Sequence, residues 1–246
     1  SSSSDAGDKV SIAAVVPTLG GVGADDDLLT FVTWNVRGYP EKLESDTVWF
    51  HHQLMRLGVD VLCIQEIANL ERVHDLRVSD SRLGQFAFVD SPSGFDNAIF
   101  ADGHVDLEDM PNPAGFQHPP QVAYISYRGF DAVVACLHLT RKNASIRDHE
   151  IETLALLVPH WLEHDPDVML VGDFNLTTGA AEGLARRLGM SPMTVSDQDG
   201  VGTTHSGNRY DHFLISADLA NEEAVSARIE TFPGDDPGVA QRVSDH

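Results

Sequence analysis

The chain has 246 residues, 42% of them hydrophobic, and a formal net charge of -22 at pH 7. This length and composition suffice for one folded domain with a substantial core. They exclude a membrane-spanning protein, because no apolar run reaches the roughly 18 residues that cross a bilayer. Only three of the 16 basic residues are lysines, which is typical of a protein from a high-salt or marine source, or else of an ordinary acidic secreted protein.

The first 27 residues are expected to lie outside the main domain. Residues 1–8 are small and polar, which predicts a flexible tail. Such a tail is left when a signal peptide or lipid-anchor segment is removed, or is added during cloning, and we favour export to the medium or cell surface. Residues 10–16 predict an edge strand and residues 17–27 a loop, so the domain is expected to span residues 28–246.

Four short apolar runs predict buried strands, at residues 29–34, 59–64, 132–137 and 168–171. Apolar spacing of three and four residues predicts a helix over 46–57, with Asp46 as its N-cap and Gly58 as its stop. Further strands are predicted at 85–89, 97–100, 122–127 and 209–216, and further helices at 145–162 and 180–188. Two β-α-β halves, each with a sheet covered by helices, indicate a four-layer α/β sandwich.

Polar motifs follow the four buried strands at their carboxyl ends. They are Asn35, Gln65-Glu66, His138 and Gly172-Asp173-Phe174-Asn175, and two more, Tyr210-Asp211-His212 and Ser244-Asp245-His246, come later in the chain. Polar groups at the ends of buried strands form the rim of one cleft, where sheet proteins build active sites. Glu66 is the natural ligand there for Mg²⁺, a hard cation that prefers oxygen.

In order and context, these motifs resemble those of the endonuclease/exonuclease/phosphatase family over residues 29–246. The resemblance implies the deoxyribonuclease I-like fold, with two packed, mostly antiparallel sheets flanked by helices. It also implies a divalent cation, Mg²⁺ or alternatively Mn²⁺ or Ca²⁺, held by Glu66 with Asn35 and Asp245.

The resemblance further assigns catalytic roles. Asp173 would orient or deprotonate the attacking water, and Asn175 would donate to a phosphate oxygen. His246 would act as general base or as a cation against the phosphorane, with its tautomer fixed by Asp211, and His138 would act as general acid. Cations beside the motifs would contact substrate phosphates, although scattered surface charges are the alternative interpretation: Arg37, Arg141, Lys142 and Arg209.

Three positions depart from the deoxyribonuclease I pattern. Ala68 stands where an arginine enters the minor groove, His118-Pro119-Pro120 replaces Arg-x-Pro, and Phe95 is the aromatic residue nearest to the place of the catalytic tyrosine. The replacement at His118 is interpreted as the loss of a cation from the scissile phosphate.

The sequence therefore predicts a Mg²⁺-dependent phosphodiester hydrolase, foremost a secreted DNA endonuclease of low sequence specificity. The alternative is a phosphatase or phosphodiesterase acting on a small or lipid phosphate, and a non-catalytic binding module on the same fold is disfavoured. We expect a monomer without a stable protein partner. Cys63 and Cys136 lie within separate core strands and are expected to be buried free thiols.

Overall fold

The computed structural model describes residues 14–20, 28–39, 52, 54–55, 57–67, 83–91, 94–193, 209–222 and 224–230. The strands in these ranges are β1 Ala14–Gly20, β2 Leu28–Tyr39, β3 Val61–Ile67, β4 Gln85–Val89, β5 Asp96–Ala101, β6 Asp106–Asp109, β7 Gln121–Tyr127, β8 Phe130–His138, β9 Val168–Asp173, β10 Ser191–Pro192, β11 Asp211–Ile215 and β12 Ala224–Glu230. The helices with assigned bounds are α1 Ala144–His164, α2 Thr178–Leu188 and α3 Ala217–Glu222.

The strands form two mixed sheets. The order is β12-β1-β2-β3-β5-β4 in the first sheet and β10-β11-β9-β8-β7-β6 in the second. Each sheet has one parallel pair, β2 with β3 and β8 with β9, and its other pairs are antiparallel. The predicted α/β sandwich is therefore confirmed, with one parallel β-α-β unit at the heart of each sheet.

Side-chain alternation along the strands divides the interior into three apolar layers. Phe31 and Met169 lie in the layer between the two sheets. Trp34 and Leu62 lie on the outer face of the first sheet, where Leu54 of a helical segment covers them. Helices α1 and α2 cover the outer face of the second sheet with Leu154, Val158, Trp161, Leu184 and Ala185.

The two cysteines meet in the layer between the sheets, and both are buried free thiols, as predicted. Burial and the hydrogen bond to Cys136 raise the pKa of Cys63. The Gln65 amide nitrogen donates to Cys136 Sγ at 3.1 Å and to Thr33 Oγ1 at 3.1 Å. The contact therefore ties β3 of one sheet to β8 of the other.

Helix α1 begins at a side-chain cap and is slightly longer than predicted. Asn143 Oδ1 accepts hydrogen bonds from the backbone nitrogens of Ser145 and Ile146, which satisfies donors of the first turn. Helix α2 ends at Gly189, whose φ of 68° lies in the left-handed region that favours glycine. In the part of the chain that the structure describes, no helix combines the length and apolarity needed to cross a membrane.

Several elements differ from the sequence prediction. Strand β1 was predicted as an edge strand over residues 10–16, but it lies inside the first sheet, between β12 and β2, and extends to Gly20. Residues 10–13 of that prediction lie outside the described residues. Pro17 was expected to begin the loop over residues 17–27, which is rich in glycine and aspartate, yet it is paired with Ala227 of β12 in the sheet. Strands β6, β10 and β12 and helix α3 were not predicted. Most of the predicted helix 46–57 lies outside the described residues, and residues 52, 54, 55 and 57 are helical.

Candidate active site

The two parallel strand pairs place their polar ends at one edge of the sandwich. In β8 and β9, His138 lies opposite Asp173, and in β2 and β3, Asn35 lies opposite Gln65. Asn35, His138 and Asp173 continue the inward-facing alternation of their strands, which is apolar up to that point apart from Thr33. The first sheet thus meets the second at a polar rim directly above the core.

Glu66 reaches the same rim through an irregularity in β3. Its even-numbered neighbours Leu62 and Ile64 face outward, so regular alternation would also direct Glu66 outward. Its φ of 60° breaks the alternation, in a region that non-glycine residues occupy at a cost of about 1 to 3 kcal/mol. The pairing with β5 shifts register at the same place, between Ile64 and Ile67.

Four side chains of this rim contact one another across the sheets. The Asn35 amide nitrogen donates to Glu66 Oε1 at 3.0 Å and to Asp173 Oδ2 at 3.1 Å. His138 Nε2 lies 3.4 Å from Glu66 Oε1 and 3.9 Å from Asp173 Oδ2. We call Asn35, Glu66, His138 and Asp173 the inter-sheet cluster.

Burial differs within the inter-sheet cluster. Asn35 and Asp173 are buried and His138 is 6% exposed, whereas the Glu66 side chain is 21% exposed. A buried carboxylate needs a cation or several hydrogen-bond donors, because its desolvation is costly. The cluster therefore concentrates negative charge at a point that solvent reaches through Glu66.

The turn after β9 fixes Asp173. The Asn175 backbone nitrogen donates to Asp173 Oδ1 at 2.8 Å, and the Asn175 amide nitrogen donates to the Leu139 carbonyl at 2.8 Å. Both carboxylate oxygens of Asp173 therefore accept a hydrogen bond, one from Asn175 and one from Asn35. Asn175 has a φ of 48°, and its amide group carries a second N–H.

Gly172 allows β8 and β9 to approach this closely. Its φ is 136°, and a Cβ atom at this position would lie 2.1 Å from the Leu137 carbonyl oxygen. A residue with a side chain would have to push the two strands apart next to His138 and Asp173. The Gly-Asp-Phe-Asn motif thus needs glycine so that β8 and β9 can pack at this distance.

Asp211 lies opposite Asp173 in the antiparallel pair of β11 and β9, so the two side chains share one face of the sheet. It is buried, and its neighbour Tyr210 accepts a backbone hydrogen bond from Phe174. The predicted partner His246 lies outside the described residues, as does Asp245. The pairing of Asp211 with His246 therefore stays a prediction.

Two of the predicted substrate-binding cations are exposed beside the cluster. Arg141 and Lys142 lie in the loop after β8, three and four residues beyond its last residue. Arg147 holds this loop by donating to the carbonyls of Thr140 at 2.9 Å and Arg141 at 3.0 Å. Arg209 is half-buried just before β11. Arg37 lies in β2, and its side chain is outside the described part of the structure.

His118 also belongs to the site, although the sequence had indicated only a lost cation there. Its ring stacks on that of His138, with 4.6 Å between centroids and 17° between planes. Phe95 is 39% exposed, with its ring 6.4 Å from that of His118. The sequence feature that could have indicated His118 as a site residue is its position before two prolines, directly ahead of β7.

The donors of the cluster fit a hard divalent cation. Glu66 and Asp173 supply carboxylate oxygens, which Mg²⁺ prefers. The Asn35 amide nitrogen donates to both carboxylates and so orients them, and the predicted role of Asn35 as a metal ligand through its amide oxygen stays a prediction. Among the described residues, a second acidic group, Asp131, Asp165 and Asp167, lies at the opposite ends of β8 and β9, where the Tyr124 hydroxyl donates to two of its members.

The two mixed sheets with their flanking helices define an α/β sandwich whose polar, acidic cluster lies at one edge. The sequence model of the Endonuclease/Exonuclease/phosphatase family matches residues 32–246, and the chain belongs to that family. Family members hydrolyse phosphate esters and generally depend on divalent metal ions. No curated protein matches the chain in sequence.

Solved structures share the fold. The human Nocturnin catalytic domain with bound sulfate is 17% identical with a TM-score of 0.64, covering 89% of this chain and 90% of that one. A mannosyl-6-phosphatase from Bacteroides thetaiotaomicron is 16% identical with a TM-score of 0.56, covering 77% and 85%. The endonuclease domain of the telomere-specific retrotransposon TRAS1 is 15% identical with a TM-score of 0.54, covering 78% and 86%. At these identities, the likeness concerns the fold alone.

Proposed function

We propose that the protein is a Mg²⁺-dependent phosphodiesterase and, foremost, a DNA endonuclease of low sequence specificity. The observation that carries the proposal is the inter-sheet cluster, in which two carboxylates, an amide and an imidazole converge at one solvent-accessible point. Glu66 would hold the cation, with Asp173 beside it and Asp245 as a further ligand. The bound cation would neutralise charge on the phosphate oxygens.

The chain's own residues would supply the proton transfers. Asp173 is held by two hydrogen bonds in a fixed orientation, so it can position the attacking water and accept its proton. His138 would protonate the leaving oxygen, and Asn175 would donate its second amide N–H to a phosphate oxygen. In the same proposal, Asp211 fixes the tautomer of His246, which acts as general base or as a cation against the phosphorane.

Only the positive charges of a few residues support DNA as the substrate. Arg141 and Lys142 are exposed next to the cluster and, with Arg37 and Arg209, could contact phosphates on either side of the scissile bond. The rest of the molecule repels a polyanion, because the net charge is -22. The endonuclease domain among the structural neighbours is consistent with this choice.

The same net charge favours a second candidate, a phosphatase or phosphodiesterase acting on a small or lipid phosphate. A small substrate carries few charges and feels less of the long-range repulsion. The mannosyl-6-phosphatase among the neighbours is consistent with it. The two candidates differ in whether Arg141 and Lys142 matter, since a short substrate does not extend to them.

The test of hydrolysis compares Glu66→Gln with Glu163→Gln, a matched change at an exposed position of α1. Nicking of supercoiled plasmid and hydrolysis of bis(p-nitrophenyl) phosphate are measured with Mg²⁺, Mn²⁺, Ca²⁺ or excess EDTA. We expect Glu66→Gln to lose roughly 100-fold or more, and Glu163→Gln to match the wild type. Full activity of Glu66→Gln, or of the wild type in EDTA, would contradict the proposal.

The substrate test uses Arg141→Gln and Lys142→Gln, with Arg186→Gln on the exposed surface of α2 as the control for net charge. An endonuclease should show a raised KM for DNA in the first two variants alone, with unchanged cleavage of the small phosphodiester. A nuclease adapted to brine should also have its optimum at raised salt, because salt relieves the repulsion. Absence of DNA cleavage at every salt concentration would select the small-phosphate candidate.

We propose further that the enzyme is exported and acts as a monomer. The acidic composition is the observation that motivates export. Detection of the protein in the medium of its source cells tests the first point, and light scattering after size exclusion tests the second. Retention inside the cells would refute export, and a mass of twice 26.8 kDa would refute the monomer.

A further inference from the structure

The His118 ring lies against one face of the His138 ring. The two imidazoles are nearly parallel, at 17°, and their centroids lie 4.6 Å apart, which is the geometry of an aromatic stack. His138 Nε2 is directed at Glu66 and Asp173, so the plane of its ring decides whether that nitrogen points into the cluster. A ring stacked on His138 limits the rotation that would turn Nε2 away.

The loop carrying His118 is held from two sides. On one side, the Gln117 backbone nitrogen donates to Glu150 Oε1 at 2.9 Å, and Glu150 is a fully buried residue of α1. On the other side, the Asn97 amide nitrogen in β5 donates to the Pro119 carbonyl at 2.9 Å. The residue before His118 is thus anchored to helix α1, which covers the second sheet, and the residue after it is anchored to β5 of the first sheet.

Glu150 also fixes the strand end that carries His138. It accepts from the Thr140 backbone nitrogen and from Thr140 Oγ1, both at 2.8 Å, two residues after His138. One buried carboxylate therefore sets the distance between the His118 loop and the end of β8. Such shared anchoring keeps the separation of the two rings constant.

A neutral ring at position 118 suits this arrangement. Burial lowers the pKa of His118, although the nearby carboxylates of Glu150 and Glu66 and a backbone hydrogen bond with Phe95 act in the opposite direction. A neutral aromatic face can lie against an imidazolium and stabilise it, whereas a second cation would repel it. The stack therefore does not depend on a charge at position 118.

We propose that His118 is a positioning residue that holds the His138 ring in the plane from which Nε2 faces the reacting phosphodiester. The inference rests on the proposed role of His138 in proton transfer. It replaces the sequence-based interpretation of position 118 as a lost phosphate contact with a role through ring stacking. It requires an aromatic ring at position 118 and does not require a charge there.

The test compares His118→Leu, which removes the ring, with His118→Phe, which keeps it. The control is His104→Leu, because His104 also contacts an aromatic ring, that of Tyr127 at 5.0 Å, at the opposite end of the sandwich. Hydrolysis of bis(p-nitrophenyl) phosphate is measured with Mg²⁺. We expect His118→Leu to lose roughly 10- to 100-fold in kcat with KM nearly unchanged, because misplacement by about 1 Å costs up to 100-fold.

His118→Phe should recover most of that loss, and His104→Leu should match the wild type. Wild-type kcat in His118→Leu, or equal loss in His118→Phe and His118→Leu, would overturn the inference. If His118→Leu does not fold, the stack is tested in the labelled wild-type protein by measuring nuclear Overhauser contacts between the ring protons of His118 and His138. Stacked rings must show these contacts, and their absence would overturn the inference.

His138→Ala separates this inference from the proposed function. Wild-type activity in His138→Ala would refute the proton-transfer role itself. A loss of about 100- to 10,000-fold in His138→Ala, together with wild-type activity in His118→Leu, would refute the positioning role alone.

Discussion

Replacing Gly172 by alanine tests how tightly the two central strands of the second sheet must approach. The new Cβ atom would lie 2.1 Å from the Leu137 carbonyl oxygen and 3.0 Å from the Leu137 backbone nitrogen and carbonyl carbon. Ordinary contact begins at 3.4 Å, so the strands must separate by about 1.3 Å. The hydrogen bond from the Leu139 nitrogen to the Asp173 carbonyl, now 2.9 Å, lies within this segment.

The expected cost has two parts. A φ of 136° is strained for alanine by about 1 to 3 kcal/mol, and overpacking adds about 1 to 3 kcal/mol. The separation also moves Asp173 relative to His138, and a misplacement of about 1 Å lowers the rate roughly 100-fold. We therefore expect Gly172→Ala to lose several kcal/mol in the free energy of unfolding and most of its phosphodiesterase activity.

Gly189→Ala is the matched control. Gly189 also has a positive φ, 68°, but a Cβ atom there meets nothing within 4 Å. It should lose about 1 to 2 kcal/mol from backbone strain and keep full activity. Urea unfolding gives the free energies, and bis(p-nitrophenyl) phosphate hydrolysis gives the rates. A Gly172→Ala protein as stable as Gly189→Ala and fully active would refute the reasoning.

Three further predictions concern other ionisable side chains. Glu150→Ala should lower the free energy of unfolding by about 3 kcal/mol or more, because two buried donors of Thr140 and the Gln117 backbone nitrogen lose their acceptor. A loss under about 1 kcal/mol in urea would contradict this. Burial lowers the pKa of His212 below the value of about 6.5 in the unfolded chain, so the unfolded state binds more protons between the two pKa values. The contribution of His212 to the free energy of unfolding should therefore be complete above about pH 6.5 and should be lost as the pH decreases toward the folded pKa. Urea unfolding midpoints at several pH values should fall less steeply with decreasing pH in His212→Asn than in the wild type. An equally steep fall in the variant would contradict this. Cys63 and Cys136 should react with a disulfide reagent such as dithiobis(nitrobenzoate) only after unfolding, because both are buried, and rapid reaction of the native protein would contradict their burial.

The buried strands and three members of the cluster follow from the sequence, because a short continuous apolar run predicts a buried strand and a polar residue follows each run at its carboxyl end. Asn35, His138 and Asp173 each continue an inward face that is otherwise largely apolar. Glu66 was found by its place after a strand, but its orientation depends on a left-handed φ that alternation does not encode. Roles assigned to Asp245 and His246 remain predictions from family resemblance.

Other features could not be predicted because they arise from contacts between distant segments. His118 joins the site through a loop that Glu150 holds from 33 residues away, and a single histidine has no periodicity. Strand β6 is a short, mostly exposed segment without apolar alternation, so only its pairing with β7 makes it a strand. Strand β1 is in the sheet interior because β12, more than 200 residues later, pairs with it.

The hydrogen bond from Asn35 to Asp173 joins two residues that are 138 positions apart in the chain and lie in different sheets. Contacts of such long sequence separation are slow to form, because closing a long loop costs chain entropy before any packing compensates for it. Each sheet can assemble its own parallel unit from nearer segments, yet neither sheet alone contains a complete cluster. During refolding from urea, helical circular dichroism should therefore recover first, and phosphodiester cleavage should return only with the final docking of the two halves.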